Sequence, residues 1–270
     1  MNKKITFNFK SMLLLFCCFA VNLTIDAQER TCGMAEYMEE QMKDPEYARS
    51  YEISQAKFKA ELAKKMNATS SERRATSIII PVAVHYPEAN EADRACLEAL
   101  AQNQIDILNA DYTATNADIA QWNTASSNYH GSNPGAANIY FCIATMNHPA
   151  GIDPQMVEGG PAVTIGYNFG GGSSTDVAWG GYMNFLVKDS GGGLLGFSPL
   201  GGSIASGDSV TMNLGAFGSG SGCPGSGIVP GAPYNLGRTV THELGHFYNL
   251  NHTFTADCGG DDAITDTPNI

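Results

Sequence analysis

Three of the six histidines in this 270-residue chain fall within eleven residues, in the stretch 241–252. His242 and His246 are four residues apart, so on an α-helix they share one face, about one turn apart. Two imidazoles at that spacing can reach one zinc ion at about 2.0–2.1 Å each. Glu243, beside the first histidine, can contact a water on that metal without binding the metal itself. The stretch therefore predicts a metal-binding helix that the rest of the fold must position.

His252 lies six residues after His246 and would point away from the metal if the helix continued. It can become a third ligand only if the helix ends near residues 249–250 and the chain turns back sharply. Asn249 suits such a turn, because the turn needs a positive φ, for which Gly is best and Asn next best. The sequence therefore predicts a helix over residues 238–250, followed by a turn that completes a three-histidine site.

The pattern His-Glu-x-x-His-x-x-(Gly/Asn)-x-x-His resembles the metzincin metallopeptidases. The flanking residues 237–241 and 252–254 resemble the pappalysin branch, the M43 peptidases related to pregnancy-associated plasma protein A. This chain departs from the general motif by carrying Asn249 where that motif has Gly. The resemblance covers residues 75–270 and implies an α/β (α+β) metzincin fold. Such a fold has a twisted mixed sheet, mostly parallel, with one backing helix and an active-site helix below the sheet.

This resemblance and the motif predict a secreted zinc-dependent metalloendopeptidase made as a latent precursor. His242, His246 and His252 would hold one zinc ion and leave a position for a water, which the metal would activate. Glu243 would serve as general base and pass the proton to the leaving amine. One alternative is a zincin of another clan with a downstream glutamate ligand, but no glutamate follows Glu243. The other is a catalytically idle, zinc-stabilised extracellular binding or adhesion domain. A structural zinc site usually has four protein ligands, and the motif supplies three.

Residues 1–27 have the pattern of a secretory signal peptide, with Lys3, Lys4 and Lys10 before the short apolar stretch 11–23. The pattern predicts an extracellular protein, and the apolar stretch is short for a membrane span. Cleavage after residue 27 would remove those lysines and Asp26, which changes the formal charge from −12 to −14. An acidic secreted chain is a poor partner for nucleic acid or anionic membranes. The expected partners are protein or peptide substrates, and the oligomeric state is left open.

Residues 28–74 are rich in charge, Met and Tyr, and they predict a helical prosegment. Asp44 can cap a helix whose first residue is Pro45, and the helix is expected to run to about Met66 on an apolar stripe. Arg73 and Arg74 lie in a polar, cleavable linker. The alternative is an ordinary helical extension. The catalytic domain is expected to occupy residues 75–270.

Cys32, followed by Gly33, is a candidate latency ligand. A thiolate binds zinc at about 2.3 Å and would occupy the position that a three-histidine site leaves for water. After cleavage the chain would hold five cysteines: Cys32, Cys96, Cys142, Cys223 and Cys258. Because five is an odd number, at least one of them has no disulfide partner within the chain. The counter-hypothesis is a disulfide between Cys32 and one of the others. A pairing of Cys96 with Cys142 would leave Cys32 over.

Apolar runs predict four strands and one amphipathic helix: strands over residues 77–85, 138–144, 182–187 and 209–214, and a helix over 91–112. Pro81 is expected to interrupt the first strand. The fourth strand is expected to form an exposed sheet edge along the cleft, where a substrate peptide would add as an antiparallel strand. His85, His130 and His148 lack motif spacing and are interpreted as packing or surface residues.

Metzincins carry a methionine in a turn downstream of the third histidine, whereas the last methionine here is Met212. The chain is therefore expected to be incomplete at its C-terminal end. Asp261, Asp262 and Asp266 could offer hard oxygen ligands to calcium. A solvated acidic loop explains these three residues equally well.

Overall fold

The computed structural model describes residues 31–67, 77–128, 135–191 and 193–253. Seven strands form one sheet: β1 Thr31–Cys32, β2 Ile78–Tyr86, β3 Ile139–Ile143, β4 Val163–Ile165, β5 Met183–Val187, β6 Leu194–Phe197 and β7 Ser209–Met212. The strand order is β1-β6-β7-β5-β2-β3, and β4 pairs with the second half of β2. Neighbouring strands run parallel, except that β6 is antiparallel to β7. The predicted mixed, mostly parallel sheet is confirmed.

Five helices accompany the sheet in the described residues: α1 Met34–Gln41, α2 Pro45–Met66, α3 Arg94–Tyr112, α4 Ala120–Ala125 and α5 Arg238–Phe247. Helix α3 packs on β3 and β4, and α5 packs on β6 and β7 and against α3. The buried side chains of α3 include Leu97, Ile105 and Leu108, spaced so that they share one face. Burial of each such side chain contributes about 1.5–3 kcal/mol. Helix α3 is thus the predicted backing helix, and α5 is the predicted motif helix.

Pro81 does not interrupt β2, which contradicts the expectation. The strand continues through Pro81, opposite Cys142 of β3. At this point β2 pairs with β3 alone, because pairing with β5 begins at Val82. Ile78 N donates to Asn138 O on the β3 side, and Val82 O accepts from Ala144 N there, so residue 81 faces the other way. A backbone N–H at residue 81 would face a side of β2 that has no strand, so proline at this position removes no hydrogen bond from the sheet.

The expectation that residues 209–214 form an exposed sheet edge is wrong. Strand β7 lies between β5 and β6, and all four of its residues are buried. Strand β6, which was not predicted, lies beyond β7, and the two residues of β1 pair with β6. Strand β1 is therefore the outermost strand next to α5, and without its two residues β6 would be the edge of the sheet.

The predicted helix of the N-terminal segment is confirmed, with Pro45 as its first residue and Met66 as its last. Asp44 Oδ1 accepts a hydrogen bond from Glu46 N at 2.8 Å, which is the expected cap. The predicted apolar stripe is not a core contact, because no residue of α2 is buried and Phe58 is 41% exposed. Helix α1 was not predicted.

Cys96 forms a disulfide with Cys223, so a pairing with Cys142 is excluded. The two Cα atoms are 5.9 Å apart, within the range that a disulfide requires. Cys142 is a free, exposed thiol on β3, and Cys32 is also free. The disulfide ties the start of α3 to the glycine-rich loop that precedes α5.

Several expectations lie outside the described residues: the signal peptide at 1–27, Arg73 and Arg74 of the linker, His130, Cys258 and the acidic group of Asp261, Asp262 and Asp266. Among the helices that are described, none is both long and apolar enough to cross a membrane.

Candidate active site

Helix α5 presents its core residues and its motif residues on different faces. Val240, Leu244 and Phe247 are buried in the core beneath the sheet. The helix follows Gly237, whose φ is 70° and where a Cβ would lie 2.6 Å from Ile107 Cδ1 of α3. Glycine at this position therefore permits both the left-handed entry and the close approach to α3.

The end of α5 is a turn of the Schellman type, closed on Asn249. Asn249 N donates to His246 O at 2.8 Å, and Leu250 N donates to Gly245 O at 2.9 Å. Asn249 has a φ of 72°, as the sequence predicted. The turn reverses the chain and brings His252 back towards the face of α5 that carries His246.

The three motif histidines converge through their Nε2 atoms. The Nε2 atom of His246 is 3.1 Å from that of His242 and 3.2 Å from that of His252, and the remaining pair is 3.3 Å apart. Two nitrogens that are each about 2.05 Å from a tetrahedral zinc ion are about 3.3 Å from one another. The donor set and its spacing therefore fit one zinc ion.

The protonation of these imidazoles also suits a cation. His246 Nδ1 lies 2.7 Å from Leu250 O, a carbonyl that can only accept, so the proton sits on Nδ1 and the lone pair on Nε2 faces the cluster. Burial and the neighbouring imidazoles lower the pKa of His242 to about 4. Burial also lowers the pKa of His246 and of His252. Neutral imidazole is the form that binds zinc.

Glu243 is fully buried beside the cluster, and its Oε1 atom has no hydrogen-bond partner. Desolvation raises the pKa of this carboxyl to about 7. Its backbone carbonyl accepts a hydrogen bond from Ser198 Oγ at 2.7 Å, which ties α5 to the chain after β6. Strand β6 crosses directly above, where a Cβ on Gly196 would lie 3.2 Å from Glu243 Cγ. The site therefore holds a carboxylate whose charge is poorly compensated and whose strand neighbour must be small.

Cys32 is the fourth potential ligand in the cluster. Its Sγ atom lies 3.4 Å from His246 Nε2 and 3.7 Å from Glu243 Oε2. The ligand atoms of Cys32 and the three histidines all lie within 4.8 Å of one another. A sulfur and a nitrogen on one tetrahedral zinc ion are about 3.6 Å apart, so the thiol also fits. Burial and the charge of Glu243 raise the pKa of this thiol to about 12, whereas a coordinated zinc ion would deprotonate it.

The position of Cys32 follows from its pairing with β6. Cys32 lies opposite Gly196, and Gly33 N donates to Gly196 O at 2.8 Å. A Cβ on Gly33 would lie 2.6 Å from Leu194 Cδ1, so a larger residue here would have to displace the end of the Leu194 side chain. Tyr37 of α1 stacks on Phe197 with ring centroids 5.0 Å apart, which adds an aromatic contact after the strand.

A cavity of about 330 Å³ opens on the side of Glu243 away from the third histidine, with mostly apolar walls. It is lined by Cys32, Leu195, Pro233, Tyr234, Leu236, Arg238, Thr239, His242 and Glu243. Arg238 pairs with Asp118 at 2.5 Å, and Thr241 Oγ1 donates to Asp111 Oδ2 at 2.6 Å. The sequence analysis missed these carboxylates, because each lies at least 120 residues from its partner and no local pattern marks it.

The other described histidines lie outside this cluster. His85 is fully buried on the opposite face of the sheet, where it contacts Thr164 Oγ1 at 2.9 Å and Asn184 Oδ1 at 3.2 Å. His148 Nε2 lies 3.0 Å from Gly160 O. Both are packing residues, in agreement with the interpretation of the sequence.

Sequence comparisons connect this site with known proteases. The family model described as pregnancy-associated plasma protein-A, the M43 peptidases, matches residues 232–270. An extracellular metalloprotease of Verticillium alfalfae is 27% identical over 194 residues, which are 71% of this chain and 58% of that protein. One from Pyricularia oryzae is 33% identical over 148 residues, which are 49% of this chain and 48% of that protein. Extracellular metalloprotease 1 of Coccidioides posadasii is 41% identical over 85 residues, 29% of its length. The chain therefore spans only part of the curated relatives that it matches.

Comparisons with solved structures also find a similarity to peptidase structures. A mutant of Tannerella forsythia promirolysin matches with a TM-score of 0.62 and 28% identity, over 89% of this chain and 76% of that one. Mature mirolysin in complex with a cleaved peptide matches with a TM-score of 0.54 and 28% identity, over 72% of this chain and 73% of that one. The precursor thus matches more of this chain than the mature form does.

Proposed function

We propose that the chain is a secreted zinc-dependent endopeptidase of the M43 family of metallopeptidases, the family of pregnancy-associated plasma protein-A. The observation that carries this proposal is the convergence of three Nε2 atoms at 3.1–3.3 Å beside a buried carboxylate. The extracellular location is supported by the names of the relatives, which are extracellular metalloproteases.

His242, His246 and His252 are the residues that hold the metal. A bound zinc ion supplies a Lewis acid and lowers the pKa of a coordinated water towards about 7. The carbonyl of Leu250 fixes the tautomer and the ring orientation of His246 through Nδ1, as outer partners of metal-binding histidines commonly do.

Glu243 is the general base. Its Oε2 atom faces the position that Cys32 Sγ occupies, so it faces the place where the attacking water must bind. Glu243 takes a proton from the attacking water on Oε2 and delivers it to the nitrogen of the leaving amine. A pKa raised to about 7 suits this role, because a base works best when its pKa lies near the operating pH.

Strand β6 is the edge to which a substrate peptide adds. It borders the cleft above Glu243, and its outer side pairs with the two residues of β1. A substrate that replaced β1 would gain main-chain hydrogen bonds to β6 and could place a side chain in the apolar cavity beside Glu243.

Residues 28–74 are the prosegment, and Cys32 keeps the precursor latent. The thiol lies within the cluster of potential metal ligands, so a thiolate there fills the position that the reaction needs for water. The larger share of this chain that matches promirolysin than mature mirolysin supports the assignment of a prosegment. Cys96 and Cys223 are bonded to each other, so among the described cysteines only Cys142 is left as a disulfide partner for Cys32. Cys142 lies on β3, at the opposite end of the sheet from β1, which carries Cys32.

The test compares the wild-type chain, freed of its prosegment, with Glu243→Gln and His246→Ala. Metal content is measured by mass spectrometry, and hydrolysis is measured with quenched fluorescent peptides. Glu243→Gln should keep zinc and lose about 10²- to 10⁴-fold in turnover, because it removes the base and leaves the ligands. His246→Ala should lose the metal as well.

Glu88→Gln is the matched control, because Glu88 is an exposed carboxylate outside the site. It should keep both zinc and turnover. Near-normal turnover of Glu243→Gln would contradict the mechanism. A wild-type chain that binds zinc and cleaves no peptide would support the alternative, a zinc-stabilised extracellular binding domain.

A further inference from the structure

Helix α2 rests on the rest of the molecule along one short face. Tyr47, Tyr51 and Gln55 are partly buried and are spaced four residues apart, so they share a face of the helix. Every residue of α2 after Gln55 is exposed. Gln55 is therefore the last partly buried residue of α2, although the exposed Phe58 still lines a pocket with Gly201, Gly202 and Phe247.

The side chain of Gln55 meets the turn that ends the active-site helix. Gln55 Nε2 donates to Asn249 Oδ1 at 2.8 Å, and Asn249 Nδ2 donates to Gln55 Oε1 at 3.2 Å. Each amide thus donates once to the other and accepts once from it. We call this reciprocal pair the amide clasp.

The backbone beneath the amide clasp leaves room for it. A Cβ on Gly201 would lie 2.7 Å from Asn249 Oδ1 and 2.8 Å from Gln55 Nε2. Gly201 N also donates to His246 O at 2.9 Å, so the backbone of this glycine bonds the end of α5. Because Gly201 has no side chain, the two amides can lie against it. The clasp therefore depends on three positions that are far apart in the sequence.

Asn249 has two roles in this arrangement. Its backbone adopts the positive φ that turns the chain towards His252, which glycine would also satisfy. Its side chain, which glycine lacks, makes both hydrogen bonds to Gln55. The side chain explains what an asparagine adds at a position where the backbone alone would accept glycine.

We propose that the amide clasp between Gln55 and Asn249 is a second anchor of the prosegment, separate from Cys32, which fastens α2 to the turn that positions the third histidine. The proposal rests on the proposed function in one respect, the assignment of residues 28–74 as a prosegment. Cys32 holds the first strand at the cluster, and the clasp holds the helix at the far side of α5. Release of the prosegment then requires that both points open.

The test uses the full-length, uncleaved chain and measures hydrogen exchange of the backbone amides of residues 56–66 by mass spectrometry. Gln55→Ala removes both hydrogen bonds of the clasp. We expect exchange about tenfold faster, which corresponds to about 1.4 kcal/mol, as the loss of two partly exposed neutral hydrogen bonds allows. Alanine has the higher helix propensity, so faster exchange cannot come from weaker intrinsic helix formation.

Glu52→Ala is the matched control, because Glu52 is an exposed residue of the same helix. It should leave exchange in residues 56–66 unchanged. Exchange in α3 serves as the internal reference for global unfolding and should be unchanged in both variants. If Gln55→Ala exchanges like Glu52→Ala, the clasp is not an anchor.

A double-mutant cycle tests the partner. Asn249→Gly keeps a residue suited to positive φ and removes the side-chain amide. If the clasp exists, Gln55→Ala and the double variant should show the same acceleration of exchange, because the second change has nothing left to remove. Effects that simply add would overturn the proposal.

None of these readouts requires peptide hydrolysis, so they hold even if the chain is not a peptidase. Conversely, unchanged exchange together with the expected loss of turnover in Glu243→Gln would overturn the clasp and leave the proposed function standing.

Discussion

The buried carboxylate of Glu243 should cost the protein stability, and this cost can be measured in the metal-free chain. Glu243 is fully buried, and Oε1 has no partner. Desolvation therefore disfavours the charged form and raises its pKa from 4.5 to about 7. Glutamine has the same shape and no charge. We expect Glu243→Gln to be more stable than the wild-type chain at neutral and alkaline pH.

The sign and size follow from linkage. Between pH 4.5 and 7 the folded state binds more protons at Glu243 than the unfolded state does, so the stability of the wild type falls as the pH rises through this window. At 1.36 kcal/mol per pH unit, the full effect is about 3 kcal/mol above pH 7. For a chain of this size, that corresponds to about 6–12 °C in Tm. Below pH 4.5 the carboxyl is protonated in both states, and the difference between the two proteins should become small.

The assay is thermal or urea unfolding of the chelator-treated chain at intervals from pH 4.5 to 9, with Glu88→Gln as control. The quantity of interest is the difference in unfolding free energy between Glu243→Gln and wild type. That difference should rise through pH 4.5–7 and then level off, whereas the control should stay flat. A difference that does not depend on pH would refute the account of Glu243 as a desolvated carboxylate.

Three further predictions concern residues beyond Glu243. In the uncleaved precursor, Cys32→Ala or a mercurial reagent should raise peptide hydrolysis, because either one empties the position of the thiolate; unchanged activity together with a mapped disulfide at Cys32 would contradict latency. Burial lowers the pKa of His85 to about 4, so the wild type should lose about 3 kcal/mol relative to His85→Gln as the pH falls from 6.5 to 4; a parallel pH dependence of the two proteins would contradict this. Replacing both Cys96 and Cys223 with serine should lower the unfolding free energy by about 2–5 kcal/mol in urea, because the bridge closes a loop of 127 residues; an unchanged midpoint would contradict it.

The sequence predicted the parts of the site that local geometry determines. The spacing of His242 and His246 places two potential metal ligands on one helical face, and Asn249 marks the turn that returns His252. The start of α2 at Pro45 follows from the cap just before it. In each case the relevant hydrogen bonds lie within a few residues, so the pattern contains the information.

The order of the strands could not be read in the same way. Strand β7 was expected at an edge, but it lies inside the sheet, where its polar side chains are satisfied: Ser209 Oγ donates to Ser174 O at 2.8 Å. The partner of Cys96 was likewise missed, because Cys223 lies 127 residues away. Which strand lies at an edge depends on neighbours that the strand's own sequence does not contain.

In the proposed function, strand β6 would connect latency with access to the site. Strand β1 pairs with β6 over two residues, which is too short to hold the segment firmly by main-chain bonds. The thiol of Cys32 beside His246, the stacking of Tyr37 on Phe197 and the contacts of α2 must supply the rest. Because the same two residues cover β6 and place sulfur in the cluster, removal of the proposed prosegment would free the proposed peptide-binding edge and the position for water in one step. A chain that lost the thiol but kept β1 on β6 would still compete with a substrate for this edge. Cys32→Ala should therefore raise the activity of the uncleaved chain only in part, and its full activity should appear after the proposed prosegment has been cleaved.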